Sequence, residues 1–209
     1  MDKKQDTLIY VWDAYCGWCY GFSKSINTFY EKHPELSLTV LSGGLFVDDK
    51  KLPIKSFPHI PEANKRISEL TGVEFGSSYE SLLLEGNFVL DSEAAAIGFS
   101  ALRSLAPERS LEFTLAIQRA FYFHGKSLSN PETYREIAIS YNLDAELIVE
   151  RFEKEEILKD AHNDFKKVQG LGIHSYPTLL LKSGGNYLPL GGGAMTADKI
   201  EERFKNIYS

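Results

Sequence analysis

The sequence predicts an α/β protein in which a strand–helix–strand unit and a strand–strand–helix unit flank a long helical block. Three observations predict it. Strand-like runs are confined to the two ends of the chain, residues 7–12 and 36–41 near the start and 178–181 and 187–190 near the end. Between about Phe46 and Gln169, apolar residues recur at helical spacing instead. Both cysteines of the 209-residue chain stand together as Cys16-Gly17-Trp18-Cys19, where the first strand passes into the first helix.

Leu8-Ile9-Tyr10-Val11-Trp12 is apolar, β-branched and aromatic with no breaker, as a buried strand requires. The helix over 16–32 sets Phe22, Ile26 and Phe29 on one face, with Pro34 beyond its end. Residues 36–41 alternate and stop at Gly43-Gly44, completing a βαβ unit whose strands should be parallel. A proline-rich loop over 53–61 then leads to short helices at 62–70 and 77–84. Asp91-Ser92-Glu93 caps a helix over 94–105 that Pro107 stops, and another follows over 109–123. Ser129-Asn130-Pro131-Glu132 fits a capping box opening a helix to about Tyr141. Asp144 caps the next, and a longer helix over 154–168 ends at Gly170 and Gly172. Ser183-Gly184-Gly185-Asn186 turns a hairpin between the last two strands. Thr196 caps a final helix facing Ile200, Phe204 and Ile207 inward. The expected division is an α/β domain of residues 1–50 and 170–209, interrupted by a helical domain over 51–169.

The formal net charge of −6 and the lack of a Lys/Arg block argue against a nucleic-acid partner or a polybasic membrane patch. No apolar run approaches the roughly 18 residues that span a bilayer. The opening Met1-Asp2-Lys3-Lys4-Gln5-Asp6-Thr7 lacks the apolar stretch of a secretory signal, so a cytoplasmic protein is expected.

The cysteine pair carries the chemistry. Two thiols two residues apart at a strand-to-helix turn cycle between dithiol and disulfide: one attacks, the other resolves, and the helix N-terminus favours the attacking thiolate. A structural zinc site would need two more ligands, and the five histidines have no paired spacing, so no metal is expected. Inert core thiols are the other bland reading. Asp13 either accepts a proton from Cys19, directly or through water, or does the commoner job of capping the helix or tying the loop. His174 reads as a solvent-facing loop residue, and Gly191-Gly192-Gly193 as a tight turn without the lysine of a phosphate loop.

The order βαβ then ββα with C-x-x-C at the first strand–helix junction resembles the thioredoxin fold. A helical insertion of this size resembles the DsbA family. Asp13-Ala14-Tyr15-Cys16-Gly17-Trp18-Cys19-Tyr20-Gly21 is similar to the D-x-x-C-P-W-C-Y-x-G pattern of its FrnE-like branch, and Tyr176-Pro177-Thr178 is similar to the family's cis-proline loop. The resemblance implies a thiol–disulfide oxidoreductase or protein-disulfide isomerase. Cys16 would be the exposed nucleophile, Cys19 the more buried resolving thiol, and Trp18, Tyr176 and Pro177 the substrate-lining residues. It implies no bound cofactor, glutathione as a redox partner, and disulfide- or thiol-containing proteins or small molecules as substrates. Thioredoxins place a buried acid six residues before the first cysteine, where Tyr10 stands here, so Asp13 is not its equivalent. Strong DsbA oxidants carry a histidine in the dipeptide. Gly17-Trp18 has none, which implies a pair nearer the reducing end of a scale of roughly −270 to −120 mV. Kappa-class glutathione transferases and 2-hydroxychromene-2-carboxylate isomerases share this architecture but usually replace the second cysteine, so Cys19 argues against them. A non-catalytic module with a redox-switch pair is the third reading.

Overall fold

The computed structural model describes residues 6–208. Residues 1–5, read above as lacking a signal segment, lie outside the described residues. Strands β1 (Thr7–Trp12), β2 (Ser37–Ser42), β3 (Thr178–Ser183) and β4 (Asn186–Gly192) form one sheet of order β2-β1-β3-β4. Helix α1 (Gly17–Glu31) joins the parallel pair β1 and β2, and β3 runs antiparallel to both β1 and β4. Tyr10 at the sheet's centre pairs with Val40 on one side and Leu179 on the other.

β1 is apolar throughout because both of its faces are covered. Leu8, Tyr10 and Trp12 join the core that α1 and the helical block complete, while Ile9 and Val11 pack with Leu41, Leu180 and Val168 of α8 (Glu155–Gly170). Pro189 costs no ladder bond because β4 is an edge strand. A bulge opposite Leu179 and Leu180 inserts Leu190, which is fully buried. The last helix, α9 (Ala197–Tyr208), begins at the expected cap, the Thr196 hydroxyl accepting from Lys199 N at 3.4 Å.

The block between β2 and β3 contains α2 (Ile60–Thr71), α3 (Ser77–Glu85), α4 (Ser92–Leu105), α5 (Ser110–Tyr122), α6 (Pro131–Ser140), α7 (Ala145–Phe152) and then α8. Capping chemistry explains the starts of α4 and α7: Asp91 accepts from Ala94 N at 3.0 Å and Asp144 from Leu147 N at 3.0 Å. Two local expectations need correction. The cap of α6 is Asn130, accepting from Glu132 N at 3.1 Å, rather than a box led by Ser129. Helix α2 begins at Ile60, because Pro61 in a first turn needs no N–H partner, and the loop before it contains a 3-10 turn at Ile54–Ser56. Helix α8 ends at Gly170, as expected, and Gly172 beyond it takes the left-handed conformation, φ 67°.

The block is bolted to the sheet at β2. Arg103 of α4 donates to Val40 O at 2.9 Å, to Asp164 at 2.8 Å and to Asp160 at 2.5 Å, and Asp164 in turn accepts from Ser42 N at 3.1 Å. Inside the block, α4 meets the Tyr134 ring of α6 at Gly98, where a Cβ would overlap the ring. Gly98→Ala is therefore expected to destabilise the protein by about 1–3 kcal/mol, the usual cost of overpacking, read as a lowered denaturant midpoint at unchanged slope.

Candidate active site

Cys16 is the N-cap of α1, with extended backbone (φ −86°, ψ 105°). Its sulfur does what a serine or aspartate oxygen does at other caps: it accepts the Cys19 backbone N–H at 3.2 Å. The Cys19 amide and the N-terminal end of the helix dipole are thus directed at the Cys16 sulfur. The thiol points to the carbonyl of Tyr176 at 3.4 Å. Cys16 is only 6 % exposed, so the expectation of an open sulfur is corrected: the Tyr176 carbonyl stands on one side, and the other faces a small cavity lined in part by α2. Cys19 follows one turn later and is fully buried. Burial pushes its thiol well up and the neighbouring Cys16 adds to that, while the Asp13 backbone N–H pulls the other way.

The Asp13 carboxylate ties loops together rather than capping α1. One oxygen accepts from Tyr15 N at 2.9 Å and from the Ser92 hydroxyl at 3.0 Å, and the other from Leu45 N at 2.8 Å. Burial raises its pKa, with these donors opposing. Asp13 acts on Cys19 in two ways, its backbone N–H lowering the thiol's pKa and the charge of its carboxylate raising it.

The Tyr176–Pro177 peptide is cis, and Pro177 is buried. The Tyr176 hydroxyl donates to Gly43 O at 2.6 Å, and its ring lies over Gly43 so closely that a Cβ there would be 2.5 Å away. Burial pushes this phenol up to about 12. The clamp fixes the carbonyl that receives the Cys16 thiol. Tyr176→Phe is expected to lose about 1 kcal/mol of stability, the net value of one hydrogen bond, in chemical denaturation. The glycine run is split: Gly191 and Gly192 end β4 and only Gly193 enters the turn, with Gly192 passing under the Pro177 carbonyl. His174 is exposed.

Gly17 and Gly21 give α1 a bare face on which α2 lies. A Cβ at Gly17 would meet Ile67 at 2.9 Å, and one at Gly21 would meet Ile67 at 2.8 Å and Thr71 at 3.1 Å. Between these helices and the block is a cavity of about 130 Å³ that reaches Cys16, with half-buried Trp18 at its rim. Sequence reasoning missed Gly43, Asn64, Ile67, Ser92 and Tyr122 as parts of this site. Ser92 carried a signal only as a helix cap, and Gly43 only as a strand terminator. Among the described residues, no group of three or more His, Cys, Asp or Glu side chains is placed to hold a metal ion. No helix of the described residues is long and apolar enough to cross a membrane.

No protein-family model and no curated protein matches the sequence. Solved structures do match the fold. A Nitrosomonas europaea protein provisionally named a protein disulfide isomerase superposes with TM-score 0.86 at 22% identity, covering 98% of each chain. The cytosolic disulfide reductase DsbM of Pseudomonas aeruginosa, known also with glutathione, gives 0.81 at 24% identity over 97% of this chain and 98% of that one. The oxidoreductase DsbA of Xylella fastidiosa gives 0.60 at 12% identity over 98% and 86%. The chain has the DsbA-like thioredoxin fold. A 2-hydroxychromene-2-carboxylate isomerase shares this DsbA-like fold, with TM-score 0.66 at 10% identity over 97% and 96% of the two chains. In the DsbA-like arrangement of this chain, the two cysteines stand at the seam between the sheet domain and the helical block.

Proposed function

We propose that the chain is a thiol–disulfide oxidoreductase of the DsbA family, FrnE-like branch, acting in the cytoplasm with Cys16 as nucleophile and Cys19 as resolving thiol. The observation that carries this reading is the Cys16 sulfur acting as helix cap, with Cys19 buried one turn behind it. The Cys16 thiolate attacks one sulfur of a substrate disulfide. A Cys16–substrate disulfide forms, and the other substrate sulfur leaves as a thiolate that takes a proton from water. Cys19 then loses its proton and attacks the Cys16 sulfur, releasing the second substrate thiol. Two electrons pass to the substrate and the protein is left with a Cys16–Cys19 disulfide, which two glutathione molecules reduce. Trp18, Tyr176 and Pro177 line the substrate's approach. No cofactor need be bound.

The dipeptide supports a reducing role, because Trp18 carries no charged donor and cannot hold the thiolate in the way a histidine would. Equilibrated in glutathione buffers, the pair is expected to settle in the reducing half of the roughly −270 to −120 mV range. A potential near −120 mV would overturn the reductase direction. The activity itself is tested by glutathione-coupled reduction of a protein disulfide and by refolding of a scrambled one. The isomerase or transferase reading has the fold likeness in its favour and Cys19 against it. Glutathione conjugation retained in full by both cysteine-to-serine variants would establish it, and absence of any turnover would favour a non-catalytic redox switch.

A further inference from the structure

Cys16 lies between two unlike surfaces. On one side is the Tyr176 carbonyl. On the other is the cavity of about 130 Å³, to which neither Tyr176 nor Pro177 contributes. Its floor is apolar and closed: Ile54, Leu90 and Phe121 are at most 2 % exposed, and Phe46 is buried beside them. Along its wall the Asn64 amide donates to the Tyr79 hydroxyl at 2.9 Å, and the buried Tyr15 hydroxyl has no side-chain partner. The rim is open, since His59 is exposed and Trp18 half-buried.

Size and lining together say what fits. Ordinary ligand clefts start at roughly 300 Å³, so a whole tripeptide does not enter this cavity. A dry cavity of about 150 Å³ walled by aliphatic and aromatic side chains takes up benzene. The space beside Cys16 has room for one ring, and its floor of Ile54, Leu90 and Phe121 favours an apolar one.

We propose that this cavity is a specificity pocket for an aromatic or compact apolar group borne next to the sulfur that Cys16 attacks, making the preferred substrate a low-molecular-weight disulfide of the benzylic type. The inference rests on the oxidoreductase reading above. It also separates this substrate from an extended peptide, whose backbone would follow the Tyr176–Pro177 edge and leave the cavity empty. The Cys16 thiolate attacks the ring-bearing sulfur, a Cys16–S–S–benzyl bond forms, the old disulfide breaks, and the departing sulfur leaves as a thiolate that water protonates.

The test uses reduced Cys19→Ser protein and two mixed disulfides of cysteine, one with benzyl mercaptan and one with 2-mercaptoethanol. Adduct formation is followed by quenching and intact mass, and each rate is divided by that of free glutathione with the same reagent. The benzyl reagent is expected to react at least tenfold faster, with the benzylthio group retained on the protein. Ala63→Phe, which extends into the cavity from α2, is expected to bring the ratio below threefold. Equal rates in the parent protein, or a preference untouched by Ala63→Phe, overturn the pocket. If neither reagent reacts, the oxidoreductase reading falls, and toluene titrated into wild-type protein still decides the cavity. Methyl shifts concentrated at Ile54, Ile60 and Leu90 support it, and their absence overturns it. The toluene measurement also decides if Ala63→Phe fails to fold.

Discussion

Cys19→Ser is expected to stop the reaction at a covalent Cys16–substrate adduct, and Cys16→Ser to prevent that adduct from forming. In both variants turnover in glutathione-coupled disulfide reduction should fall about a thousandfold or more, as when an activated nucleophile or its partner is removed. The structure makes the Cys16 experiment clean. Because the Cys16 sulfur is a cap acceptor, a serine hydroxyl in its place still accepts the Cys19 N–H and α1 keeps its first turn. A loss of turnover then reports the missing thiolate and not a frayed helix. Intact mass spectrometry after quenching distinguishes the two variants, with the adduct accumulating in Cys19→Ser alone. Full turnover by either variant is incompatible with a dithiol cycle.

Asp13→Ala is expected to cost about 3–5 kcal/mol of stability, among the largest effects of any single change outside the cysteines. Its carboxylate is 3 % exposed and accepts from three donors, Tyr15 N, Leu45 N and the Ser92 hydroxyl. Truncation strands all three in a dry site, at about 1–3 kcal/mol each before relaxation. Asp13→Asn keeps acceptor capacity at one atom only and should fall between. The pH dependence has a definite sign. Burial raises the Asp13 pKa above its usual 3.8, so the folded protein holds this proton more tightly than the unfolded chain does. The contribution is therefore fully present below the unfolded pKa and is lost as pH rises through the folded one. The advantage of wild type over Asp13→Asn should narrow as pH climbs above the usual carboxylate value of 3.8, measured by denaturant unfolding at each pH. An advantage that widens as pH climbs would mean that the ionised form is the one the fold prefers.

Much of this architecture is legible in the sequence because the signals are local. A strand such as β1 announces itself by composition, and α4, α7 and α9 by caps within three residues of the donors they satisfy. The cysteine pair is legible for the same reason, since its cap geometry is closed within four residues. What could not be read is what depends on distant segments. Asp13 finds Leu45 and Ser92, 32 and 79 residues away, and no spacing rule connects them. Cys16 was expected to be open because its neighbours come from Tyr176, 160 residues on, and from the α2 residues that line part of the cavity. Asn130 displaced Ser129 as a cap because either residue type serves and only the backbone path decides between them.

The glycine face of α1 ties the tuning of the dithiol to the seam with α2. Residues between paired cysteines are the usual place to engineer a redox couple, on the assumption that only the sulfurs feel the change. Here Gly17 is also the floor on which Ile67 rests. Any larger residue at that position makes the Ile67 side chain give way, so a library varied at the dipeptide would change electron affinity and the packing of α1 on α2 together. Selecting such a library for potential alone would select, unintentionally, for a repacked helix seam.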